Sequence, residues 1–132
     1  MPIFLSERRF EVVTWGVGHR GLLLPSRHID HEPRIEIWFK PAYAVHLSST
    51  IDGLHITTPR DPQRLAQAAE HLGRELDPHE HLYAIASRSS SGWVVGGSVS
   101  GRRDDGGRDA PTMFDGWEPR QGVEQLFSVN AP

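Results

Sequence analysis

The residues in this chain that could do chemistry are its histidines and its tryptophans. Eight histidines invite a divalent-metal reading, because neutral imidazole is a common ligand for zinc and related ions. His28, Asp30, His31 and Glu32 form one cluster, with His79, Glu80 and His81 as a second contributor. On a loop, an H-x-D-H run can set two or three donors around one ion, and His79 and His81 share a face if their stretch is extended. The spacing is not that of a catalytic zinc helix, and a chain without cysteine has no thiolates for a structural zinc site. The bland alternative is a pair of solvated polar loops. The expectation is therefore no cofactor, with a divalent metal at His28, Asp30 and His31 as the alternative.

Tryptophan offers a different chemistry. Trp38 lies on the otherwise charged side of a strand pattern, and Trp15 and Trp93 fall in strand-like stretches. If these rings share a face, they form a platform for a flat ligand, a peptide or another subunit. If a helix or the C-terminal segment covers that face, they are ordinary core.

Other signatures are thinner. His46 alternates with Val45 and Leu47, which suits the polar face of a sheet, and His19 and His55 also fall in or beside strand patterns. The serines cluster in turns, at Ser48, Ser49, Ser89, Ser90 and Ser91, and no G-x-S-x-G elbow exists for a nucleophilic triad. Glu36 with Glu11 or Asp52 makes a carboxylate pair on paper, though surface charges paired with Arg34 or Lys40 explain it equally. The glycine runs at Gly96 to Gly101 and Asp104 to Arg108 lack the lysine and following helix of a phosphate cradle.

Composition bounds the elements that must position these groups. A chain of 132 residues fits a single domain spanning 1–132. A hydrophobic fraction of 37% with four tryptophans argues for a packed core, and 13 glycines and 10 prolines for abundant loops. A net charge of -3 supplies no basic field for a phosphate backbone, so nucleic acid is not an expected partner. Without cysteine neither disulfides nor a thiolate nucleophile can form. No apolar run approaches the roughly 18 residues of a membrane span, and the N-terminus lacks the pattern of a signal peptide, so the expected location is cytoplasmic and no membrane partner is expected.

The chain's organising stretch is Arg34 to Leu54. Ile35, Ile37 and Phe39 alternate with Arg34, Glu36, Trp38 and Lys40, which predicts a half-buried strand. Pro41 should end or turn it, and Tyr43, Val45 and Leu47 resume the period as a second strand. Asp52-Gly53 is the best two-residue hairpin turn, leading to a strand through Leu54, Ile56 and Thr58. Upstream, Phe10 to Val17 and Leu22-Leu23-Leu24 read as a hairpin broken at Gly18-His19, and 25–33 as a loop. The second arm, apolar on consecutive positions, suits a strand covered on both faces or a subunit contact. A meander of neighbouring strands is the simplest topology.

Asp61-Pro62 predicts a helix start, and Leu65, Ala68, Ala69, Leu72 and Leu76 continue an apolar stripe to about residue 76, where Asp77-Pro78 stops it. Gly73 should weaken its last turn. His81 to Ser87 and Gly92 to Val99 predict a second strand pair, with Gly96-Gly97 marking a bulge, a sharp bend or close backbone approach. Ser100 to Thr112 reads as a mobile surface loop, Met113, Phe114 and Trp117 as a return to an apolar surface, and 123–129 as a short strand or helical turn.

The pattern W-x-V-x-H-x-x-L-L-L from Trp15 to Leu24, followed by R-I-E-I-W-F-K from Arg34 and G-L-H-I from Gly53, resembles small uncharacterised bacterial proteins of an actinobacterial type. The resemblance covers the first half of the chain and implies neither an activity nor any functional residue. The expected fold is α+β: a mainly antiparallel bent sheet or partly closed barrel of about six to eight strands, with one helix, about 62–76, packed on it. The expected function is a small soluble binding or interaction module for a protein or small molecule, with self-association as a homodimer through its edge strands. The alternative is an enzyme or ligand-binding barrel with a pocket lined by Trp15, Trp38, Trp93 and histidines, metal-dependent if the His28 cluster binds an ion.

Overall fold

The computed structural model describes residues 2–15, 21–107, 110–114 and 118–129, with the backbone alone for Thr14 and Trp15. In chain order its elements are β1 (Pro2–Glu11), β2 (Thr14–Trp15), β3 (Leu22–Pro25), β4 (Arg34–His46), β5 (Thr50–Thr57), α1 (Pro62–Leu72), β6 (His81–Ala86), β7 (Ser91–Asp104) and β8 (Glu124–Val129). All strand pairs are antiparallel. The order is β1-β5-β6-β7-β4-β3-β2, with β8 also on β7. β6 pairs with residues 91–96 of β7 and β8 with residues 99–103, so the two follow one another along the edge that β4 leaves open. The sheet is bent but is not a closed barrel. A single bridge, Phe10 to Ser26, an Arg27 amide donating to the Arg9 carbonyl at 2.7 Å and, just past β1, a Val13 amide donating to the Leu23 carbonyl at 3.3 Å bring the end of β1 to β3 among the described residues.

The alternation at 34–40 becomes one face of β4. Ile37 and Phe39 are fully enclosed and Ile35 packs beside them, in a core that also holds Phe10, Leu22, Leu24 and Tyr83. Pro41 does not end the strand, as the sequence suggested: β4 runs on through it to His46, and the two expected strands are one. The pairing shifts register between Ala42 and Ala44, which leaves Tyr43 as the extra residue, exposed on a bulge, while Val45 and Leu47 return to the core. Gly96 and Gly97 face this place from β7. A Cβ on Gly96 would run into the Pro41 carbonyl, and one on Gly97 into the Pro41 ring and the Lys40 carbonyl. Close backbone approach is therefore the meaning of that glycine pair.

Asp52-Gly53 is not a hairpin turn. It lies inside β5, where Gly53 at φ 80° stands opposite a bulge: Ser6 pairs with Leu54 and Arg9 with Asp52, so β1 has two residues between these partners where β5 has one. The simple meander fails with it, since β4 pairs with β7 and β3 and not with β5. The expected N-terminal hairpin is present as Thr14–Trp15 against Leu22–Leu23, and its turn, with His19, lies outside the described residues. Leu22 and Leu24 are buried on the inner face and Leu23 is half-buried. Of β1, residues 2–9 had no reading in the sequence, because Glu7, Arg8 and Arg9 obscure the period of two, and Phe10 and Glu11 were read as the start of the hairpin arm.

Helix α1 ends at Leu72, not near residue 76. Gly73 takes the left-handed conformation at φ 74° and ends the helix as its C-cap, instead of weakening a longer one. Ala68, Leu65 and Leu72, joined by Leu76, pack against Leu82, Val95, Ala44 and Trp93 on the outer sheet face. The stretch 100–112 is not a loop throughout: Ser100–Asp104 completes β7, with Gly101 and Arg102 buried. Residues 124–129 form strand β8.

Candidate functional site

The outward row of β4 is not a solvated charge face. Glu36 is 5% exposed, and its Oε1 accepts from the Met113 amide at 2.7 Å and the Thr112 hydroxyl at 2.9 Å. Arg34 forms a two-point pair with Asp104, at 2.6 and 3.0 Å, and also donates to the Ala110 and Pro111 carbonyls. Hydrogen bonding to Asp104 holds the Arg34 guanidinium's pKa above its ordinary value, and the Asp104 carboxyl below its own. Arg102, 4% exposed, donates to the Met113 carbonyl at 2.7 Å and to Gln125 at 2.9 Å. Residues 110–114 therefore form a strap across β4 and β7, anchored by Met113 at 0% exposure and by Phe114.

Trp38 lies under that strap. Its ring stacks on Phe114 with centroids 6.0 Å apart, and the Arg102 guanidinium sits 4.5 Å from the Phe114 ring centre. Trp93 lies toward the other end of the β4–β7 ladder, where it pairs with His46, whereas Trp38 pairs with Ser100. The structure does not bring Trp38 and Trp93 together as a platform. The side chain of Trp15 and all of Trp117 lie outside the described residues.

His28, Asp30 and His31 line a cavity of about 550 Å³ together with Glu32, Asp105, Gly106 and Gly107. It adjoins a second cavity of about 600 Å³ that shares His28 and Gly107 and includes Glu11, Arg27 and Glu36. His28 Nε2 lies 2.9 Å from Asp30 Oδ1, and His31 is exposed on a turn at φ 67°. Among the described residues no three His, Asp or Glu side chains are arranged to hold a metal ion. The second contributor is divided: Glu80 is buried and taken by Arg74 at 2.6 and 2.7 Å and by the Asp77 amide, contacts that lower its pKa. His81 is half-buried with its Nε2 enclosed and unpartnered among the described residues. Glu11 and Glu36 do share a cavity, but Asp52 is drawn away to Arg9 and Arg88, at 3.8 and 3.6 Å.

Another cavity, about 270 Å³, is the cleft between α1 and the sheet, lined by His46, Arg64, Gln67, Ala68, Leu82, Ser91, Gly92 and Trp93. Trp93 is half-buried, with the His46 ring 5.8 Å away and nearly parallel and the His71 ring 5.2 Å away. The side chains of Arg64, Gln67 and Ser91 make no hydrogen bond or ion pair with any described residue. Among the described residues no acidic one lines the cleft, and none stands in the first turn of the helix. It is a small, electropositive slot with an indole wall and uncommitted donors. Arg64, Gln67 and His71 had no part in the sequence reading of sites; their spacing of three and four, which puts them on one helix stripe beside Ala68, is the signal that could have found them.

No protein-family model, curated protein or solved structure matches this chain. The resemblance of its first half to small actinobacterial proteins therefore gains no relative from these comparisons.

Proposed function

We propose that this chain is a ligand-binding module whose site is the cleft between α1 and the sheet, and that its ligand is a small anion carrying a flat ring, such as an aromatic carboxylate. The observation that carries the reading is the set of polar side chains, Arg64, Gln67 and Ser91, that stand around the half-buried Trp93 without a hydrogen-bond or ion-pair partner among the described residues. Arg34 and Arg102, by contrast, are engaged with the strap. A guanidinium meets a carboxylate with two parallel hydrogen bonds, and an indole wall favours a planar apolar partner over a hydrated one. The helix supplies the cation and the amide, the sheet supplies the ring and the hydroxyl, and so the site depends on α1 remaining docked.

Binding is the reading these residues support, because among the described residues the cleft holds no acid–base pair and no nucleophile with its activating partner. Calorimetric titration with benzoate, and with benzamide as the uncharged control, tests it. Saturable one-to-one binding of benzoate is expected, weakened at least tenfold by Arg64→Gln and by Trp93→Leu, with benzamide bound more weakly than benzoate. Absence of heat with benzoate and with larger aromatic carboxylates, or affinity indifferent to Arg64→Gln, would remove the reading.

A further inference from the structure

We infer that the outer face of β4, β7 and β8 beneath residues 110–114 is a groove for an extended peptide, occupied in this structure by the chain's own segment. The contacts are those of peptide recognition. The sheet's arginines take main-chain carbonyls, Arg34 at Ala110 and Pro111 and Arg102 at Met113, and Glu36 takes the Met113 amide. Such contacts read the backbone and are indifferent to which chain supplies it. Selectivity comes from three side chains of the occupant: the Thr112 hydroxyl on Glu36 at 2.9 Å, Met113 with none of its surface exposed, and the Phe114 ring in contact with both Trp38 and Arg102.

Residues 110–114 belong to no strand and add no ladder pair to the sheet. The floor beneath them is rich in charge, so when the segment leaves, Glu36, Arg34 and Arg102 regain water, and the loss is smaller than uncovering an apolar core. These features make the segment exchangeable for a neutral peptide of Thr-Met-aromatic type. The inference does not depend on the cleft at Trp93.

The test uses the full chain and a fluorescein-labelled synthetic peptide of residues 110–114, A-P-T-M-F, read by fluorescence anisotropy. The cis segment competes at high effective concentration, so the wild-type chain should bind the peptide weakly. Met113→Asp, which places a charge where the groove is driest, should expel the segment and raise peptide affinity at least tenfold. A peptide with aspartate in place of its methionine should not bind, and Arg102→Ala on top of Met113→Asp should abolish binding. If Met113→Asp does not fold, as judged by far-ultraviolet circular dichroism, the double substitution Thr112→Ala with Phe114→Ser takes its place. Equal binding by the wild-type chain, no saturable binding by a folded variant, or binding untouched by Arg102→Ala would each overturn the inference.

Discussion

Tyr83 is enclosed in the inner core with its hydroxyl donating to the Gly97 carbonyl, and burial pushes its pKa up to about 12. A raised folded pKa means the neutral phenol is favoured on folding. Its contribution is complete below the unfolded value near 10 and is lost as pH rises toward about 12. Tyr83→Phe should lower stability at pH 7 by about 1 kcal/mol and remove this alkaline step, as measured by urea denaturation between pH 8 and 12. Asp104 behaves in the opposite sense. Hydrogen bonding to Arg34, then the Gly106 amide, depresses its folded pKa, so its contribution is present above about pH 4 and lost as acid titrates it in the folded state. Asp104→Asn should cost about 1–3 kcal/mol at pH 7 and flatten the acid limb, and an acid limb identical to that of the wild type would contradict the pairing. Neither role could be read from the sequence. The polar row of Glu36 and Arg34 was legible, but its burial was not, because the cover comes from Thr112 and Met113, 76 and 77 residues further along.

Helix α1 shows what local sequence can specify. Asp61 accepts from the Gln63 amide at 3.0 Å, Pro62 occupies the first turn, and Gly73 caps the other end. Asp61→Ala should cost about 1 kcal/mol, and Gly73→Ala, forced into a left-handed conformation, about 1–2 kcal/mol. Both losses are measurable by thermal melts, and both should weaken any ligand of the Trp93 cleft. The start of the helix was legible because cap and proline act within one turn. Its end was misjudged because the stripe continues to Leu76, which packs on the same cluster from outside the helix. The β4 bulge was equally hidden, since Pro41 looks like a terminator until Gly96 and Gly97 supply a partner strand without side chains. Gly96→Ala should cost about 1–3 kcal/mol through the clash with the Pro41 carbonyl. A neutral result in denaturant titration would mean that the two backbones lie further apart than described.

Across the whole molecule, strand β7 is the member on which most others depend, for it pairs with β4 along one edge and with β6 and then β8 along the other. Amides of residues 93–96 and 99–103 should be the slowest to exchange with deuterium, opening only with global unfolding, while those of β1 and β2 exchange sooner. Fast exchange in β7 would contradict this pairing. A sheet-dominated α+β architecture with one helix was legible from the alternating and helical periods, whereas strand order was not, because alternation says which face is apolar and nothing about which neighbour lies alongside. The β4–β7 ladder has a kinetic counterpart. Lys40 and Ser98 are neighbours across it although 58 residues apart in the chain, and β5, α1 and β6 all lie within the loop their meeting closes. Assembly must wait for that encounter, which places the protein among slow folders, on a scale of roughly milliseconds to seconds. A chain severed between Thr58 and Arg60 would hold β4 on one fragment and β7 on the other, so its renaturation would become second order, quickening in proportion as the fragments are concentrated.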